Sequence, residues 1–212
     1  TAILITPLRN PALLAKTAAT LDVISKGRLE LGVGLGWQKE EFDAAGASFE
    51  DRSEIFWETL DICKALWQDS PASFKGNHFN FDDIWCHPQP IQGQNIPLLF
   101  GLKMTHENAN KIAKVGHGWI PIKTSRDFIS EGKEILFDAF IKEGRQDQPR
   151  IRGQLPTCVD DNGVPNIDLT LKQLEKSMAA GLDEIEVFPI NFVQAPDDIY
   201  KVLKIISEVR KS

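Results

Sequence analysis

Continuous apolar runs alternate along the chain with segments whose apolar positions recur at helical spacing. The first run, "AILIT" (2–6), has strand character. In the segment "RNPALLAKTAATLD" that follows, Asn10 is placed to cap a helix, Pro11 takes its first position, and Leu14, Ala18 and Leu21 recur on one face. "RLELGV" is the next strand, over Leu29 to Val33, followed by a glycine loop and a short helical piece from Gln38. A longer helix is predicted from Asp51, which has capping-box spacing to Glu54, with Phe56, Leu60, Cys63 and Trp67 along its buried stripe. Cys63 is thereby expected in the core.

Between 69 and 95 the helical period is lost, and Gly76, Pro88, Pro90 and Gly93 punctuate a segment expected to be an excursion or insertion loop. "IPLLFG" (96–101) restores a buried strand, and a helix follows over 105–116 with Gly116 as its stop. "GWIPI" predicts a short strand and 125–144 a long helix. "RIRGQLPTCV" predicts a further strand, the turn-rich "DDNGVPN" an interruption, and 169–181 a helix. "LDEIEVFPI" predicts the last strand. The closing helix, from Asp197 to the end of the chain, has Ile199, Val202, Ile206 and Val209 on one face.

This rhythm amounts to about six strand–helix units in a single domain over 1–212, with the excursion after the second unit. Strands that are mostly continuous apolar runs fit a parallel sheet covered by helices, so the class is α/β. An open doubly wound sheet and a (β/α)8 barrel share the pattern. Six units favour the former if the chain is complete, and the barrel if two units precede it. The opening on Thr1 inside an apolar run, with no methionine, suggests a missing start.

Composition narrows the function. An apolar content of 42%, a charged content of 25% and a formal charge of −6 describe an ordinary soluble globular protein without the positive field that nucleic acid or an anionic membrane requires. Three widely spaced cysteines fit a reduced, cytoplasmic setting better than a disulfide framework. No signal peptide opens the sequence, and no apolar run has the roughly 18 residues needed to span a bilayer.

Candidate chemistry is sparse. Gly32, Gly34 and Gly36 alternate as G-x-G-x-G, which departs from the dinucleotide fingerprint, and the acid at the right distance, Asp51, opens a helix instead of ending a strand. Glycines at a strand's carboxyl end nevertheless permit close approach of a ligand to the backbone. His106-Glu107 begins like a zinc motif, but Asn110 stands where its second histidine belongs. Cys86 and His87 have no second pair at ligand spacing, so no metal site is expected. "GASFE" around Ser48 is not a nucleophile elbow. Of the tryptophans, Trp37 and Trp119 are candidate pocket walls. No catalytic acid or base is identified.

The run "RNPALLAKTAATLDVISKGRLELGVGLGWQKEEFDAAGASFEDR" resembles the luciferase-like flavin and deazaflavin oxidoreductases, and the likeness continues more weakly through "IPLLFG" and "KVGHGWIPI". The resemblance implies a (β/α)8 barrel, incomplete at the amino terminus, in which "AILIT" is the third strand and "RLELGV" the fourth. It implies FMN or coenzyme F420 as cofactor and a small organic substrate, with Thr6 beneath the ring, Gly34, Gly36 and Trp37 beside it, and Trp119 in the substrate pocket. The cofactor phosphate is expected at the turn of Gly101, Leu102, Lys103 and Met104, where only Gly101 keeps the family's glycine-serine pattern and Lys103 offers a charge. His117 stands where the family more often has an acid. Arg28 and Glu41 also belong to the signature, and both read equally well as an arginine–carboxylate pair holding a loop. A barrel lacking two units is expected to associate as a homodimer or a larger assembly, or else to be disordered beside the gap. Two other readings stay open: a cofactor-poor binding or interaction module, and a truncated barrel that folds only with a partner chain.

Overall fold

A computed structural model describes residues 1–123 and 125–209. The chain forms two compact units, Thr1–Leu102 with Lys111–Ile120, and Lys103–Asn110 with Pro121–Ser212.

The first unit opens with strand β1 (Leu4–Ile5), a 3-10 turn over Thr6–Leu8 and helix α1 (Pro11–Ser25). The start of α1 is as the sequence predicts: Pro11 lies in its first turn, and the Asn10 side chain accepts from the Leu13 N–H at 3.1 Å. Its buried face differs. Ala15, Ala18, Ala19 and Asp22 are buried, whereas Leu21 is 45% exposed. The small alanines let α3 (Arg52–Gln68) approach closely, and the Trp67 indole N–H donates to the Ala15 carbonyl at 2.9 Å. On α3 the predicted stripe Phe56, Leu60, Cys63 and Trp67 is buried. Burial, reinforced by nearby Cys86, pushes the Cys63 thiol well up, so it stays protonated as a core group.

Strand β2 (Leu31–Gly34) precedes the short helix α2 (Lys39–Ala45), whose N-cap is Gln38. The capping box expected at Asp51 does not form. Its carboxylate accepts from the Ser48 hydroxyl at 2.8 Å instead, which takes it away from the α3 amides. The excursion is more ordered than a loop: β3 (Ala72–Lys75) and β4 (Asn80–Ile84) pair antiparallel. The Glu58 carboxylate of α3 accepts from the N–H groups of Asn77 at 3.1 Å, His78 at 3.0 Å and Phe79 at 2.7 Å, tying the hairpin turn to the helix. At the far end Gln92 donates through its backbone and side chain to the buried Asp22 carboxylate, at 3.0 and 2.8 Å, and its amide also bonds the Leu29 carbonyl. A buried carboxylate is thus supplied with donors at the junction of α1, the excursion and the approach to β2.

Strand β5 (Leu98–Phe100), helix α4 (His106–Val115) and strand β6 (Gly118–Trp119) follow. Within this unit the strands lie side by side as β1, β2, β5 and β6, all parallel, with Leu4 opposite Val33, Leu31 opposite Leu98 and Phe100 opposite Trp119. The parallel arrangement read from the apolar runs is therefore observed. Gly116 stops α4 for a packing reason: a Cβ there would lie 2.5 Å from the Phe100 ring. His117 is used structurally, its Nδ1 accepting from the Leu98 N–H at 3.2 Å while its own N–H bonds the Leu98 carbonyl at 2.8 Å.

The second unit contains α5 (Arg126–Lys142), β7 (Arg150–Gln154), α6 (Ile167–Leu171), α7 (Leu174–Ala179), β8 (Glu184–Glu186) and α8 (Asp198–Val209). The single helix expected over 169–181 is two helices, broken at Lys172 and Gln173, and Asn166 caps the first by accepting from the Leu169 N–H. β7 and β8 pair parallel, Arg152 opposite Glu184. One face of this pair is charged: Arg150 and Arg152 both bond Glu184, at 3.0 and 2.5 Å, and Arg152 reaches Glu186 at 3.9 Å. The predicted strand "RIRGQLPTCV" ends early, at Gln154, and "LDEIEVFPI" leaves strand geometry after Glu186 for a 3-10 turn over Pro189–Phe192. Residues 210–212 of the predicted closing helix lie outside the described residues.

Candidate functional site

Parallel strands expose their last carbonyls and the following turns at one end, and there the first unit gathers its small residues. Gly34 ends β2 and Gly101 follows β5. Ile3, just ahead of β1, lies across both: a Cβ on Gly34 would meet Ile3 Cγ2 at 2.8 Å, and one on Gly101 would meet Ile3 Cδ1 at 2.0 Å. The Ala2–Ile3 peptide bond is cis. Ile3 remains 38% exposed. An isoleucine laid over two glycines makes a low apolar surface from which no side chain projects at positions 34 and 101. Gly36 has φ +77°, and a Cβ there would meet Ile5 and Phe42, so it is required both by conformation and by space.

The other predicted residues divide between core and surface. Thr6 is fully buried at the end of β1, and its hydroxyl has no hydrogen-bond partner among the described residues. Trp37 is 81% exposed, beyond the glycine loop. Trp119 is fully buried, and its indole N–H donates to the Leu102 carbonyl at 2.9 Å, so it fixes the turn after β5 from beneath. Leu102 and Met104 are buried and Lys103 is exposed.

Along that turn the amide N–H groups of Lys103, Met104 and Thr105 donate to no acceptor among the described residues. Asn108 in the first turn of α4 donates its side-chain amide to the Lys103 carbonyl at 2.9 Å, and its backbone N–H to the Thr105 hydroxyl at 3.2 Å. The carbonyl side of the turn is therefore held, while its donors are left available next to a helix start.

Among the described residues Arg28 pairs with no carboxylate. Its guanidinium donates to the Ser25 carbonyl at 2.7 Å and so closes the end of α1, which explains its place in the signature as a structural one. Among the described residues, no group of three or more His, Cys, Asp or Glu side chains is disposed for a metal ion, and no helix is long and apolar enough to cross a membrane. Sequence reasoning missed Ile3 and Asn108. The alternation of glycines signalled close approach to the backbone, but a one-dimensional pattern does not say which residue comes close.

The sequence profile of luciferase-like monooxygenases matches residues 1–164. An uncharacterized protein of Mycobacterium tuberculosis is 36% identical over 152 residues, covering 71% of this chain and 53% of its own length, so the chain spans about half of that curated relative. Among solved structures, an F420-dependent secondary alcohol dehydrogenase in complex with an F420-acetone adduct aligns over 88% of this chain and 72% of its own, with a TM-score of 0.74 at 19% identity. The oxygenating constituent of 3,6-diketocamphane monooxygenase from Pseudomonas putida, in complex with FMN, aligns over 75% of this chain and 48% of its own, with a TM-score of 0.62 at 18% identity. The fold is accordingly α/β of the incomplete (β/α)8 type, and the chain belongs to the luciferase-like monooxygenase family.

Proposed function

We propose that the chain carries the cofactor site of a flavin-type oxidoreductase, dependent on FMN or coenzyme F420 and acting on a small organic substrate. The observation that carries this reading is Ile3 laid over Gly34 and Gly101, because a planar tricyclic ring needs a flat apolar surface with no projecting Cβ. The residues present fit such a group. Ile3, Gly34 and Gly101 would form the ring's floor, with the buried Thr6 hydroxyl near the end of β1 still lacking a partner. The turn after Gly101 would receive the phosphate on the N–H groups of Lys103, Met104 and Thr105, with the Lys103 ammonium adding charge. Gly36 and Trp37 border the same strand ends.

When bound, such a cofactor supplies hydride transfer or oxygen activation. The chain's own part is to orient the ring, keep its floor dry and hold the phosphate. The same reading includes self-association: β1 has a single strand neighbour within its unit, and Leu13, Leu21 and Ile24 of α1 are exposed. Fluorescence titration of the protein with FMN and, separately, with F420 tests the cofactor assignment. Saturable binding of either supports it, and failure of both contradicts it.

A further inference from the structure

In the second unit a cavity of about 550 Å³ opens between the start of α5 and one side of α7. Ser125 and Arg126 line it from α5, and Gln173, Lys176 and Ser177 from the α7 side. Pro156, after β7, and two alanines complete the wall. In a chain with a formal charge of −6, this lining holds, among the described residues, two cations and no carboxylate. Neither the Arg126 nor the Lys176 side chain has a hydrogen-bond or ion-pair partner among the described residues, whereas Arg145, Arg150 and Arg152 of the same unit are each bonded to a carboxylate. The Ser125 hydroxyl makes no capping bond to its own helix, so it too is unspent.

We propose that this cavity binds the phosphate group of a small organic phosphate. A guanidinium matches two phosphate oxygens at once, and a lysine ammonium from a separate element can take a third. Two cations from separate elements match a dianion, whereas a monocarboxylate would leave one of them without a counter-charge. The partial positive charge of the first turn of α5 has the same sign. The volume falls in the range of small-ligand pockets, roughly 300–1,000 Å³, and so leaves room for an organic group beside the phosphate against Pro156 and the alanines.

The test is a titration of the protein with phenyl phosphate followed by phosphorus NMR, with inorganic phosphate as competitor and benzoate and phenol as controls. Saturable binding of phenyl phosphate that inorganic phosphate displaces is expected, with benzoate weaker by about tenfold or more and phenol not competing. Arg126→Ala and Lys176→Ala should each weaken binding about tenfold, and Arg126→Lys less, because it keeps the charge but loses the fork. Both side chains are exposed, so the variants are expected to keep the wild-type circular dichroism spectrum. Absence of saturable binding by the wild type, equal binding by the double alanine variant, or equal competition by phosphate and chloride would each overturn the proposal.

Discussion

Ile3 lies so close over Gly101 that a Cβ on residue 101 would come within 2.0 Å of Ile3 Cδ1 and 3.1 Å of Ile3 Cγ1. A contact that short cannot persist, so Gly101→Ala must displace the isoleucine. Because Cδ1 is the free end of a side chain that is 38% exposed, the isoleucine can turn aside, and the expected cost is about 0.5–1.5 kcal/mol, that of a side chain held off its rotamer. Shortening the partner should relieve it. In a double-mutant cycle by urea denaturation, Ile3→Ala combined with Gly101→Ala should lose less stability than the sum of the single changes. Strict additivity would show that Ile3 is not what holds residue 101 to glycine.

Trp119 supports the same turn from below. Trp119→Phe keeps most of the buried ring but removes the N–H that the Leu102 carbonyl accepts at 2.9 Å. A buried carbonyl left unpaired costs about 1–3 kcal/mol. Chemical denaturation should report a loss of that size, and amide hydrogen exchange should quicken around 102–105. Unchanged exchange there would mean that the turn is held by other contacts.

What the sequence made legible was whatever rests on local chemistry and strong periodicity. Asn10 and Pro11 announced the start of α1, the stripe from Phe56 to Trp67 announced α3, and the apolar runs announced parallel strands. It misled where a long-range partner decides. Leu21 has the right spacing for the buried face of α1, yet α3 packs against the alanines because they allow the closer approach. Asp51 has the spacing of a cap, but Ser48 claims its carboxylate. The candidate site was legible as glycines and a turn. Its floor residue, Ile3, was not, because the contact joins positions about a hundred residues apart.

The charged face of β7 and β8 gives the second unit a signature against pH. Burial raises the Glu186 carboxyl above its ordinary value of 4.5, Arg152 opposes the shift, and Glu184 adds to it. Because the folded chain holds this proton more tightly than the unfolded one, the contribution to stability is fully present below 4.5 and is lost as pH rises through the raised folded value. Glu186→Gln cannot titrate. Relative to wild type, its thermal midpoint should therefore rise as pH increases from 4.5 and then level off. A difference between the two proteins that stays constant with pH would contradict this assignment.

The central claim, that a flavin-type ring rests on Ile3, Gly34 and Gly101 with its phosphate on the following turn, is tested most directly by cofactor titration of three proteins under one condition. Wild type should bind FMN or F420 saturably. Lys103→Ala should bind more weakly by about 1 kcal/mol or more, an effect that shrinks as salt rises, because a charge-assisted hydrogen bond is lost. Gly101→Val should lose binding altogether, since its side chain fills the floor and displaces Ile3. Wild-type binding of neither cofactor at about millimolar concentration, the weak end of the affinity scale, or undiminished binding by Gly101→Val, would contradict the account.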